Sequence, residues 1–488
     1  MMSKATDRVR SLTAMFALFC GLAAMAGPTA AAEKAKEAKS DPELIEAAGF
    51  ASGDVGYLVV DAGSGKVLAE RNPDRPFIPA SVAKLAAIVP ALEILGADHR
   101  YATTLRAAGD VSDGVLTGTL VLHGGGDPFL TGDDLRVLAK QLAESGIRKV
   151  DGAFVYDASA MVELPELSAM QPRAASYNCG LSALSLNFNR VRLAWRTDGD
   201  KRSATATAFS DKVRVPAGNV SVSFAGADLP GYYMREGAED RWLLSPALPA
   251  KGEEWLPVSH PSRVTAETFR ALAAAEGVSL PEPTAGTAPD GAREIARHES
   301  VPLSEIAGRV LDSSNNLSAE LIGLSASQSV TGRKLSLQES AAALADWWRK
   351  RQPDADWTAL DLENQSGLST KSRATPREIV TMLKEATGLS GDADFHEMLP
   401  KIGWKGSDGS ARVKTGTMSY IRGLAGYIDT TAGHRLAFAI FFNDVKKRAA
   451  LDAAFDPNVV AIDAQSRRWR NRALVVERTL TQGWAERF

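Results

Sequence analysis

The chain has 488 residues, 45% of them hydrophobic and 24% charged, a length that predicts two to three domains and enough apolar mass for a real core. Its 56 basic and 59 acidic side chains leave a net charge of -3, which supplies neither an electrostatic footprint for nucleic acid nor a basic face for an anionic membrane. Cys20, Cys179 and six scattered histidines exclude a disulfide framework and a Cys/His zinc centre, so neither metal nor cofactor is expected.

Residues 1–32 carry Lys4, Arg8 and Arg10, then an apolar run from Leu12 to Ala26, then Thr29-Ala30-Ala31-Ala32. That order reads as a secretory signal cleaved after Ala32 or after Ala26, which places the remainder in the periplasm. Export would leave Cys179 as a lone thiol, read as a small buried apolar residue. Residues 56–61 and 66–70, separated by Gly63-Ser64-Gly65, read as a β-hairpin. After Pro79, the spacing of Val82, Leu85, Val89 and Leu92 predicts a helix that stops at Gly96. Residues 99–165 mix short β-rich runs with an amphipathic helix at 133–144, and 190–260 alternate as a small all-β insert.

Residues 266–276 again read as helix, and 282–290, rich in proline and glycine, as a loop. Helical patterning fills 303–348 and 376–387, and three strand-like runs follow at 411–415, 423–429 and 435–442. An early hairpin, late strands and helices between them predict an α+β core whose sheet takes strands from both chain ends.

Three elements carry chemistry. In Pro79-Ala80-Ser81-Val82-Ala83-Lys84, Ser81 and Lys84 stand at i and i+3 on one helix face, so an amine can reach a hydroxyl and act as its base. About one or two S-x-x-K tetrapeptides arise by chance in a chain this long, and Ser81 alone reads equally as a helix cap before a solvated lysine. Lys414-Thr415-Gly416-Thr417 puts a cation and two hydroxyls along one strand edge, a pattern suited to a carboxylate. S-x-N occurs four times, at Ser176, Ser185, Ser313 and Ser314; the last precedes a helical run and lies between the other two elements in chain order.

Together these elements resemble the penicilloyl-serine transferase superfamily. Ser314-Asn315-Asn316-Leu317-Ser318-Ala319-Glu320, Gly124-Gly125-Gly126-Asp127-Pro128 and Ser366-Gly367-Leu368-Ser369 are similar to motifs of class C low-molecular-mass penicillin-binding proteins, the D-alanyl-D-alanine carboxypeptidase/endopeptidase family. Two departures stand out: Asn315 replaces the usual aspartate, and Thr370 replaces an arginine common after Ser-Gly-Leu-Ser.

The resemblance implies a transpeptidase/β-lactamase-like catalytic domain at 33–98 and 262–488, interrupted by an inserted domain at 99–189 and a β-rich one at 190–261. It implies Ser81 as nucleophile, Lys84 as base, and Ser314, Asn316 and Lys414 as the remaining catalytic set. The backbone of Ser81 and Thr417 would hold the oxyanion, and Thr415, Gly416, Thr417, Met418 and Ser419 would line the peptide site. Asp157 aligns with a family aspartate that reaches the amine of the stem diamino acid, although the residue alone reads equally as a solvated turn aspartate. Peptidoglycan peptides are the implied substrate and β-lactams the implied covalent inhibitors. Oligomeric state stays open between a monomer and a homodimer. A serine β-lactamase and a catalytically silent cell-wall-binding protein are the other readings.

Overall fold

A computed structural model describes residues 39–227, 229, 232–235, 240–388, 394–459 and 464–488. The leader expected at 1–32 lies outside the described residues. At the centre is a six-stranded antiparallel sheet, ordered 401–403, 410–418, 421–429, 435–443, 55–61, 67–71. The early hairpin therefore joins the late strands, Leu58 opposite Ala439 and Val59 opposite Phe438.

Both faces of this sheet are covered, and strand alternation shows how. On Arg435–Asn443, Ala437, Ala439 and Phe441 face a helical layer, while Leu436, Phe438, Ile440 and Phe442 face the other way. The first layer is built on Lys84–Leu95, Asn316–Thr331 and Leu337–Arg351. The second is the helix Ala464–Arg487, whose Trp469, Ala473, Val476, Leu480 and Trp484 recur at three or four residues and pack on Phe438 and Tyr57. Sequence reading assigned no helix there, because six arginines on its other faces dilute the apolar stripe.

The inserted part contains a five-stranded sheet, ordered 283–285, 149–157, 115–124, 102–112, 293–299. Helix Gly132–Glu144 connects the parallel strands 115–124 and 149–157 and is started by a Thr131/Asp134 capping box. Residues 190–257 form a four-stranded and a three-stranded sheet, as their alternation predicts.

The boundary expected at residue 262 falls inside this unit. Phe269, Leu272 and Ala273 of helix Pro261–Ala275 pack in the core beneath the five-stranded sheet, and strands 283–285 and 293–299 are its two edges. The second edge, Arg-Glu-Ile-Ala-Arg-His-Glu, is mostly charged and hides its strand character, as unpaired edges often do. The first lies inside the expected loop and consists of three residues. Cys179 is buried, and burial pushes its thiol up to about 12, in keeping with a packing role.

Candidate active site

Ser81 lies in a single 3-10 turn, Ala80–Ala83, that runs directly into the helix Lys84–Leu95. The turn is pressed against strand Ser410–Met418. A Cβ on Gly416 would meet the Pro79 carbonyl oxygen at 2.6 Å and the Ser81 nitrogen at 3.1 Å, so only glycine permits this approach. Gly367 is held equally close on the other side, with φ +73° and space for a Cβ only 1.9 Å from the Ala80 oxygen. Ala80 itself adopts φ +46°, a strained conformation kept by the packing around it. The Asn443 carboxamide secures the chain two residues earlier, accepting from the Ile78 N–H at 2.6 Å.

Lys84 is fully buried. Its Nζ donates to Ser81 Oγ at 2.9 Å, Asn316 Oδ1 at 2.8 Å and the Ser366 carbonyl at 2.7 Å, so all three donor positions are occupied. Burial holds the amine well below the ordinary lysine range, the nearby Lys414 ammonium lowers it further, and Glu320 opposes both. Glu320 is also fully buried; it accepts from the Gln365 and Ser366 N–H groups and thereby fixes the carbonyl that takes Lys84.

Ser314 ends helix Leu303–Ser313 in the left-handed conformation, φ +57°, and its hydroxyl accepts from Lys414 Nζ at 2.9 Å. Asn315 caps the next helix through the Ser318 N–H, a task that asparagine and aspartate perform alike. The other S-x-N asparagines are engaged elsewhere: Asn178 accepts from the Ser168 N–H and Asn187 from the Gly132 N–H. Lys414 is buried and bonds the Thr415 carbonyl as well; burial and then Arg422 lower it to about 8. Because side chains alternate along a strand, Thr415 and Thr417 lie on the opposite face from Lys414.

Ser81, Ser314, Asn316, Thr417, Met418 and Ser419 line one cleft of about 700 Å³, a volume suited to a small ligand or a peptide end. Met170, Gln171 and Tyr177 from the inserted region form another wall. They are tied to the core by Asn316 Nδ2 donating to the Tyr177 carbonyl and Gln171 Nε2 donating to the Leu368 carbonyl. Asp157 is not on the cleft lining. It ends strand Lys149–Asp157, buried, accepting from the Ser159 N–H and lying 3.2 Å from His123 Nδ1. It is thus neither a solvated turn residue nor grouped with Ser81.

Sequence reading missed the buried pair Arg422 and Glu477, which supports Thr417 from behind: Arg422 Nη1 donates to Thr417 Oγ1 at 2.9 Å. The carboxylate lies 55 residues further along the chain, beyond the reach of any local motif.

The chain is 27% identical over 440 residues to a D-alanyl-D-alanine carboxypeptidase of Actinomadura sp. (strain R39), covering 80% of this chain and 77% of the relative. It is 21% identical over 428 residues to the D-alanyl-D-alanine carboxypeptidase DacB of Haemophilus influenzae, covering 80% and 85%. The crystal structure of penicillin binding protein 4 (dacB) from Haemophilus influenzae superposes with a TM-score of 0.73 at 19% identity, over 92% of this chain and all of that one, which shows a shared fold. Residues 37–464 match the family model for D-Ala-D-Ala carboxypeptidase 3, and with a fold and a serine–lysine cleft of this form the chain belongs to that S13 peptidase family.

Proposed function

We propose that this chain is a serine-type D-alanyl-D-alanine carboxypeptidase, with D,D-endopeptidase activity on the same bond type, acting on peptidoglycan stem peptides. One observation carries the reading: a buried lysine amine, shifted toward its neutral form, is hydrogen-bonded to a serine hydroxyl at the edge of a cleft. Ser81 Oγ attacks the carbonyl of the penultimate D-alanine while its proton passes to Lys84 Nζ. The backbone N–H groups of Ser81 and Thr417 receive the oxyanion, a role supported by the close approach of the Ser81 turn to Gly416. The C–N bond then breaks, and the departing amine takes a proton through Ser314, which is linked to Lys414. Water hydrolyses the acyl-enzyme.

Lys414 and the Thr415–Thr417 edge attract the terminal carboxylate. β-Lactams acylate the same serine. We place this activity in the periplasm, where its substrate lies and where the leader read at 1–32 would send it; among the described residues no helix is long and apolar enough to cross a membrane.

The test has two arms. Mass analysis of cross-linked peptidoglycan fragments incubated with the protein should show loss of one D-alanine or cleavage of the D-alanyl cross-link. A labelled penicillin should map to Ser81 and persist. Intact fragments, or label on another residue, overturn the reading; rapid turnover of a chromogenic cephalosporin would mark a β-lactamase instead.

A further inference from the structure

Composition excludes a zinc centre built from several cysteines and histidines, but not one built from a single histidine and carboxylates. His396 lies in the single helical turn Phe395–Met398, between helix Pro376–Ala386 and the edge strand Lys401–Gly403. Its side chain is only 5% exposed and packs on the Tyr427 ring, and among the described residues neither ring nitrogen has a hydrogen-bond partner. Both nitrogens face carboxylates instead: Nδ1 lies 3.3 Å from Glu397 Oε1 and Nε2 lies 3.5 Å from Oδ2 of Asp429, at the end of strand Ile421–Asp429. Asp394 completes the cluster, in which one donor atom each from Asp394, His396 and Glu397 lies within 4.8 Å of the others.

A neutral imidazole donates from one nitrogen only, so one lone pair of His396 is left facing a carboxylate oxygen unless a cation stands between them. Nε2 is suited to carry the proton, because Asp429 is itself held from its other oxygen by Arg435 Nε at 2.9 Å. A carboxylate behind a histidine fixes the tautomer and orients the ring toward a metal on the opposite nitrogen. Nδ1 and Glu397 Oε1 are then spaced as two ligands of one tetrahedral ion are, about 3.3 Å apart when each bond is about 2.0–2.1 Å. Among the described residues Glu397 Oε2 accepts from Arg412 and Asp394 Oδ1 from the His396 N–H, which leaves one oxygen on each acid for a further ligand. Arg412 also donates to the Glu397 and Leu399 carbonyls and so holds the turn against strand Ser410–Met418. We propose that Asp394, His396 Nδ1 and Glu397 Oε1 form a site for one divalent transition-metal ion of the zinc class, with Asp429 orienting the histidine and water filling the fourth position. The nitrogen donor favours such an ion over magnesium or calcium, which take oxygen ligands. None of these residues lines the cleft, so the ion pins the turn to the central sheet and takes no part in acyl transfer. The site stands independently of the peptidase reading.

Calorimetry on the untagged full-length protein, stripped with a chelator and titrated with zinc chloride, tests the site. One zinc ion should bind per chain, an excess of magnesium should not displace it, and cobalt(II) in its place should give a visible absorption band. His396→Ala should abolish both the one-to-one binding and the cobalt band. Asp429→Asn, which removes the charge behind the histidine and no ligand, should weaken zinc binding by about 10- to 100-fold while keeping one ion per chain. If His396→Ala melts early, Asp394→Asn/Glu397→Gln carries the test, because both acids are exposed and their loss should abolish the site while the fold is kept. Zinc binding that survives loss of His396 or of the two acids marks an adventitious ion only and overturns the site. Displacement by magnesium overturns the ion class. No zinc binding at all overturns the proposal outright and assigns a proton, not a metal, to the space between His396 and its carboxylates.

Discussion

Arg422 is gripped by both carboxylate oxygens of Glu477, at 2.7 Å from Nε and 2.7 Å from Nη2. Its remaining nitrogen, Nη1, is the one that reaches Thr417. The C-terminal helix thus fixes a guanidinium inside the central sheet, and the guanidinium fixes a hydroxyl on the rim of the cleft.

Removing one partner of this pair should expose its cost. Glu477→Ala leaves a buried guanidinium uncompensated and should lower stability by about 3–5 kcal/mol, measured by urea unfolding. Replacing both, as Arg422→Met/Glu477→Leu, should restore most of that stability because the charges leave together. Thr417 would still lack its donor, so KM for a D-Ala-D-Ala peptide should rise in the double variant. A double variant with normal KM would show that the pair serves folding alone.

The two buried lysines set opposite requirements for chemistry and stability. Acylation of Ser81 by a penicillin should increase with pH through an apparent pKa well below that of a free lysine, and Lys84→Arg should be nearly inactive because a guanidinium stays protonated. A pH-independent rate between about pH 5 and about pH 10 would argue against Lys84 as the base. Stability follows the same shifts with a definite sign. Where a lysine is depressed in the folded protein, the unfolded chain binds more protons between the two pKa values, so stability rises with pH across that window. For Lys414 the window runs from about 8 to the free-lysine value of about 10.4. The urea midpoint should climb over that range, and Lys414→Met should flatten the climb.

Gly416→Ala tests the contact between the nucleophile turn and the strand. A Cβ 2.6 Å from the Pro79 carbonyl must push the two apart, and a displacement approaching 1 Å at reacting groups costs about 100-fold in rate. Gly483→Ala is the control: its Cβ would meet nothing within 4 Å, and alanine in a helix should add about 0.5–1 kcal/mol. Penicillin acylation rates and melting curves of the two variants separate misplacement from unfolding.

Ser81 and Lys84 were legible because one helical turn joins them, and Lys414 with Gly416 because a strand presents them in sequence. Ser314 and Asn316 needed chain order to be chosen among four matches, and the structure distinguishes them by their bonds to Lys414 and Lys84. Contacts made across long separations left no local signal: Arg422 with Glu477, Glu320 with Ser366, Tyr177 with Asn316. Arg293–Glu299 was missed for another reason, since an edge strand can be almost wholly charged. Asp157 shows the limit of alignment by motif, because its position at a strand end was readable whereas its partner His123, on the neighbouring strand, was not.

Glu320 offers a test of how the base is positioned. It does not line the cleft; it holds the Ser366 segment through two backbone N–H groups, and Ser366 presents its carbonyl to Lys84. Burial pushes the Glu320 carboxyl up, while these hydrogen bonds and the nearby Lys84 favour its ionised form. Its charge in turn raises the Lys84 pKa. Glu320→Gln replaces one acceptor oxygen with an amide that cannot accept, so the Ser366 carbonyl should shift and the limiting acylation rate should fall by about 10- to 100-fold, a cost of about one lost charge-assisted hydrogen bond. Removing the negative charge should also move the half-point of the pH–acylation curve to lower pH, because protonated Lys84 loses its nearest counter-charge. A general loosening of the fold would instead hydrate Lys84 and move the half-point upward. A slower enzyme with its half-point shifted toward acid therefore identifies Glu320 as a positioning residue for the base, and a shift toward alkali assigns it to folding.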